Sequence, residues 1–166
     1  MQEKFTIEII TWHKPDFGAE DNIHGLEEAQ WKKCKVVDID IAVIAEPKDY
    51  KEEEDPTKFK SKKTGRGPLA PGWKEALKTD TTTPHMCCYK LVKAEFKWKL
   101  IQGKVENYIQ EAEKRLFTNF HRKLFCTMDD WSGMTMEDIR RMEEETKKEL
   151  DEMRAKGEAK GTTDDK

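Results

Sequence analysis

The hydrophobic period of this chain changes part-way along: segments alternating every second residue lie at or before Trp98, and helical repeats follow. Phe5–His13 places Phe5, Ile7, Ile9 and Thr11 on one face of a strand. Val36–Ile44 sets Val37, Ile39, Ile41 and Val43 against Val36, Asp38, Asp40 and Ala42, the pattern of a half-buried strand with its carboxylates outward. Met86–Trp98 reads as a third strand. Lys104–Met128 then repeats Val105, Ile109, Ala112, Leu116, Phe120 and Leu124 at a helical period, backed by Tyr108, Phe117 and Phe125. Thr135, with Asp138 three residues on, reads as the N-cap of a second helix running to about Ala155. Strands followed by long helices predict an antiparallel α+β layer.

The core has to come from these elements. Of the 166 residues, 36% are hydrophobic and 39% charged, and much of the charge lies in Lys48–Lys63 and the C-terminal third. The length suits one domain, expected over residues 1–156, with a small, polar, disordered tail over 157–166. Lys14–His24 reads as a loop, Leu26–Lys32 as a short helix, and Ala45–Thr83 as a long loop with a helical turn at Trp73–Leu77. A loop of that length inside a domain is usually functional or mobile. A net charge of −3 argues against a general nucleic-acid binder. No stretch approaches the roughly 20 apolar residues of a membrane span, and the polar Met1–Lys4 shows no signal peptide. Cys34, Cys87, Cys88 and Cys126 lack metal-ligand spacing, as expected of a reduced, cytoplasmic protein with structural thiols.

Three polar side chains interrupt the apolar pattern. Thr11 continues the face of Phe5, Ile7 and Ile9. Lys90 shares strand parity with Met86, Cys88, Val92, Ala94, Phe96 and Trp98. Glu143 falls at the edge of the stripe Ile139, Met142, Thr146, Leu150 and Met153 of the second helix. Each alone is commonly a satisfied core group or a snorkelling side chain. Together they point to an internal site with a polar end. Catalysis is not the expectation: His13, His24, His85 and His121 show no metal-binding spacing, and Gly65-Arg66-Gly67 lacks the Gly-Lys-Ser/Thr of a phosphate loop. No cofactor is implied. Lys90 is a three-donor point charge suited to a phosphate, Thr11 offers a hydroxyl, and Glu143 can accept from ligand hydroxyls. Ile7, Ile9, Met86, Val92, Phe96, Ile109, Leu116 and Phe120 would form apolar walls beside them.

Thr11-Trp12-His13-Lys14-Pro15-Asp16, Lys58-Phe59-Lys60-Ser61-Lys62-Lys63-Thr64-Gly65-Arg66-Gly67-Pro68-Leu69 and Tyr89-Lys90-Leu91-Val92 carry a resemblance to a known family. So do Lys104-Val105-Glu106-Asn107, Arg115–Arg122 and Asp138–Thr146. These runs, in this order from about Phe5 to Arg154, resemble the phosphatidylinositol transfer proteins of class I type, with the match starting in the middle of the family's domain. The resemblance implies a helix-grip (START-like) fold: a curved antiparallel sheet with long helices around a lipid cavity, here truncated at its N-terminus. It implies a carrier that binds phospholipid and exchanges phosphatidylinositol and phosphatidylcholine between membranes one molecule at a time.

In that family Thr11 and Lys90 match phosphate-side headgroup contacts and Glu143 an inositol contact, while Phe120 matches a cavity residue bearing on phosphatidylcholine handling; Ile9, Val92 and Leu116 would line the same cavity. Trp98 and Lys99 stand at the membrane-docking tip, where relatives often carry two tryptophans. Ser61, in the basic run Lys58–Arg66, matches the family's regulatory phosphorylation site, with a protein kinase as the implied partner. The expected partners are thus phospholipid and a transient membrane surface, with no nucleic acid. The alternatives are a non-carrying fragment that touches anionic membranes through Lys58–Arg66 and Trp98–Lys99, and a truncated product without autonomous transfer activity.

Overall fold

The computed structural model describes residues 5–98 and 100–157. They divide into two compact units, one ending at Met128 and one beginning at Asp129.

The first unit is built on two strands, β1 (Phe5–Lys14) and β2 (Cys87–Phe96), paired antiparallel from Phe5 opposite Phe96 to Lys14 opposite Cys87. Both lie within one residue or two of the predicted spans. β-Branched and aromatic residues dominate their facing pairs, which suits a pleated sheet. Ile9 faces Val92, and the Phe5 and Phe96 rings meet edge to face at 6.1 Å. The directly opposed Glu8 and Lys93 add an ion pair at 2.9 Å.

Helix α1 (Glu28–Trp31) is a single turn and α2 (Trp73–Thr79) is short. The long helix α3 (Gln102–Cys126) packs on β2. Its Glu106 carboxylate accepts from the Phe96 N–H at 2.9 Å, and the Gln110 amide donates to the Val92 carbonyl at 3.3 Å.

Val36–Ile44 is not a strand. Its period is right, but its polar groups find other partners. Asp40 closes a local turn, accepting from the Ala42 N–H at 2.9 Å, while the Val43 N–H donates to the Asp40 carbonyl at 3.0 Å. The Trp73 indole donates to Asp40 at 3.0 Å, and Lys74 pairs with Asp38 at 2.9 Å. Arg122 takes the Ile41 carbonyl at 2.8 Å. A backbone committed to turns and side chains cannot also supply a ladder, and among the described residues the sheet has two strands rather than three.

The most deeply buried residues gather where the long loop meets the C-terminal end of α3, rather than under the sheet. Asp55, Pro56 and Ser61 from the loop and Thr118, Arg122, Cys126 and Met128 from the helix side are all buried. Two 3₁₀ turns, Pro47–Asp49 and Glu52–Glu54, the second followed directly by Asp55, place the carboxylates that bind the loop to α3. Arg115 grips Asp49 through two bonds at 2.5 and 2.6 Å, and Arg122 reaches Asp55 at 3.5 Å. Phe59 and Phe125 meet edge to face at 5.8 Å. Gly67, at φ +79°, closes this loop, and a Cβ there would stand 2.3 Å from the Phe59 carbonyl oxygen, so only glycine fits.

The second unit contains a one-turn helix that begins at the junction, α4 (Met128–Trp131), and then α5 (Met136–Ala155). The capping box is as predicted: Thr135 Oγ1 accepts from the Asp138 N–H at 3.2 Å and the Asp138 carboxylate accepts from the Thr135 N–H at 3.0 Å.

Candidate functional site

Strand pairing alone brings two of the predicted headgroup residues together. Thr11 of β1 lies directly opposite Lys90 of β2, and the Lys90 ammonium donates to Thr11 Oγ1 at 3.2 Å. Helix α3 supplies the third side, with Lys90 Nζ standing 4.8 Å from the centre of the Phe117 ring. Both polar residues are half-buried. Among the described residues no carboxylate pairs with Lys90, although many of the exposed lysines have one. A half-buried ammonium with spare donors and no counter-charge is poised for an anion.

One turn beyond Phe117 on α3 stands His121, a residue that its sequence gave no spacing reason to single out. Its Nε2 is buried, with no hydrogen-bond partner among the described residues. Burial foremost, then the charge of Lys90 and that of His13, pulls its basicity below the usual histidine range. His13 lies two residues past Thr11, on the same face of β1. The signal available in the sequence was the four-residue step from Phe117 to His121, which puts both on one helix face.

The apolar residues expected beside this polar end occupy the same elements. Val92 is half-buried and lies opposite Ile9, which is 43% exposed. Leu116 and Phe120 of α3 are 50% and 55% exposed. These faces present an open apolar surface among the described residues. Glu143 belongs to the second unit, where it is exposed on α5 and pairs with Arg140 at 2.6 Å. Trp98 is exposed just past β2, and Lys99 lies outside the described residues, as does the predicted tail beyond Gly157.

Ser61 is only 2% exposed. Its Oγ accepts from the Thr64 N–H at 2.9 Å and from the Thr64 hydroxyl at 2.8 Å, and its N–H donates to the Arg66 carbonyl at 2.9 Å. Thr64 Oγ1 also lies 3.1 Å from the buried Met128 sulfur. The basic loop is therefore folded around its serine.

All four cysteines are unpaired with one another as disulfides; burial pushes the Cys126 thiol up to about 11 and raises Cys87 as well, so neither is an activated nucleophile. Among the described residues there is no cluster of metal-ligating side chains, and no helix is long and apolar enough to cross a membrane.

A family model described as "Phosphatidylinositol transfer protein" matches residues 1–148. The chain belongs to the phosphatidylinositol transfer protein family. The beta isoform of phosphatidylinositol transfer protein from Bos taurus is 56% identical over 165 residues, which are 98% of this chain and 61% of the relative. Phosphatidylinositol transfer protein 1 of Dictyostelium discoideum is 47% identical over 149 residues, 89% of this chain and 55% of the relative. Membrane-associated phosphatidylinositol transfer protein 1 of Mus musculus is 43% identical over 156 residues, 93% of this chain but 12% of the relative. This chain thus spans about three fifths of the beta isoform it matches. The relatives' names are those of lipid transfer proteins, and α+β architecture with an antiparallel sheet agrees with that family.

Proposed function

We propose that this chain binds a phospholipid, phosphatidylinositol in the first instance, and carries it between membranes. The observation that supports this most directly is the Lys90–Thr11 pair, an ammonium without a carboxylate at the edge of an apolar surface, in a chain of this family. Burying hydrocarbon is worth roughly 0.8 kcal/mol per CH₂, so two acyl chains oppose escape into water by tens of kcal/mol. A protein that moves the lipid whole, in an apolar container with a polar end, removes that barrier.

In this reading Lys90 and Thr11 hold the phosphate, and Glu143 accepts from inositol hydroxyls once it exchanges Arg140 for the ligand. Ile9, Val92, Leu116 and Phe120 line the acyl region, with Phe120 bearing on exchange of phosphatidylcholine. The fold around the lipid is the helix grip. Trp98 and Lys99 dock the carrier transiently on the membrane from the cytoplasmic side. Docking carried in part by lysine weakens with added salt; vesicle binding indifferent to salt would argue against that role. Ser61 is the point at which a protein kinase would act.

The test is native mass spectrometry of the chain purified from cells. One phospholipid per monomer is the expected result. A lipid-free or oligomeric chain would reject the carrier reading. The exposure of Leu116 and Phe120 favours one second reading, a fragment whose open apolar face rests on membranes without extracting lipid. Vesicle binding without a co-purifying lipid would select it.

A further inference from the structure

We propose that His121 is a third phosphate ligand of this site, its imidazole N–H joining the Lys90 ammonium and the Thr11 hydroxyl around the phosphodiester of a lipid headgroup. The proposal rests on the carrier reading and adds a residue and a proton to it.

The geometry behind it is a convergence of donors. β1 supplies Thr11 and His13, β2 supplies Lys90 opposite Thr11, and α3 supplies Phe117 against Lys90 and His121 one turn on. The ionisable groups acting on the His121 ring from the packed elements are Lys90 of β2 and His13 of β1, both cationic when charged. Among the described residues none of the three forms an ion pair or is offered a carboxylate. A buried nitrogen without a partner is costly to keep, and such atoms are rare unless a ligand or water completes them. The buried Nε2 of His121 is such an atom. An isolated histidine packed on a core usually finds a carbonyl, as His24 does with the Ile10 carbonyl at 3.1 Å. His121 does not; apart from the Phe120 ring, which it meets edge to face at 5.2 Å, the ionisable groups acting on it are Lys90 and His13, neither of them an anion, so a bound anion would supply the missing partner.

A consequence follows for protons. Without ligand, burial foremost, then the charges of Lys90 and His13, lowers the basicity of the imidazole and favours its neutral form. A phosphodiester beside it favours the imidazolium, so binding takes up a proton and tightens as pH falls.

The chain would be labelled with ¹⁵N in its histidine rings, His121 assigned by its loss in His121→Gln, and the rings followed by NMR. Titrants are phosphatidylinositol vesicles, phosphate-free diacylglycerol dispersions and inorganic phosphate. Expected is a shift of the His121 ring nitrogens toward the protonated values with phosphatidylinositol, and none with diacylglycerol. A bound phosphatidylinositol that leaves the His121 ring unmoved overturns the proposal while the carrier reading stands. An equal shift with inorganic phosphate overturns the lipid assignment in favour of a free-phosphate site. Failure of the chain to take up any lipid removes the carrier reading, and with it the headgroup.

Variants provide the second readout. His121→Phe keeps the ring and removes the donor, and should weaken phosphatidylinositol binding about tenfold, whereas His121→Gln, which keeps a donor, should recover most of it. Between about pH 8 and about pH 6 binding should tighten in the parent chain and stay flat in His121→Gln. Parallel pH profiles for the two would overturn the proposal even if His121→Phe proved unstable, because they need only the parent and the conservative variant.

Discussion

A lysine that faces a threonine across two strands explains why parity was informative here. Thr11 and Lys90 both broke an apolar alternation, and strand register turned two separate irregularities into a contact at 3.2 Å. Glu143 carries no such geometric support: its position at the edge of a helical stripe is fulfilled by an exposed pair with Arg140. Its headgroup role remains a separate proposal with its own test. Glu143→Ala is expected to lower phosphatidylinositol transfer more than phosphatidylcholine transfer; equal losses would refute an inositol contact. Arg122 is the residue that sequence reading had no means of weighing. Nothing in an amphipathic helix announces that one arginine will be 4% exposed, because the charge is matched by Asp55 and the Ile41 carbonyl from far along the chain. Removing one partner of a buried pair leaves the other uncompensated, so Arg122→Ala should cost about 3 kcal/mol in urea unfolding. A loss below about 0.5 kcal/mol, the scale of an ordinary surface change, would mean that Asp55 is satisfied without it.

Among the elements, those with a strong local signal were legible and those set by long-range partners were not. β1, β2, α3 and α5 fall within a few residues of their predicted spans, since period and capping are local properties. The capping box of α5 is local in the same sense. Thr135→Ala should therefore cost about 1 kcal/mol of helix stability, read as earlier fraying of α5 in amide exchange. Unchanged protection across the first turn would show that the cap is redundant. Val36–Ile44 failed for the opposite reason. Its alternation was genuine, yet Asp38 and Asp40 are recruited by Trp73 and Lys74, and no periodicity reveals a partner that distant.

For the whole molecule, family membership was readable from ordered runs of residues, while enclosure of the apolar faces was not, because enclosure depends on how elements assemble rather than on which elements exist. Acid stability is a property at this scale. The Arg115 guanidinium foremost, aided by other neighbours, holds Asp49 below the usual carboxylate range against the opposing effect of burial. Asp55 is also lowered: burial, the largest influence, raises it, but hydrogen bonds from Thr57 and the charge of Arg122 outweigh that. A carboxyl whose folded value is depressed contributes stability that is full above its unfolded value of about 4 and is lost as pH falls through the folded one. The chain should thus lose stability on going from about pH 5 to about pH 2, and Arg115→Gln should flatten that slope. A variant with the parent's slope would show that the Asp49 pair is not responsible.

Ser61, folded inside its own basic loop, has a consequence for timing. An enzyme cannot phosphorylate a hydroxyl it cannot reach, so modification would proceed only from the small fraction of molecules whose loop has opened. When opening and closing are fast, the observed rate is the chemical rate multiplied by that fraction. Substitutions at the clasps Asp49–Arg115 and Asp55–Arg122 would then accelerate any phosphorylation of Ser61 from outside its basic run Lys58–Arg66. Two chains with identical sequence around the serine could be modified at very different speeds. The loop, more than the enzyme, would keep the clock.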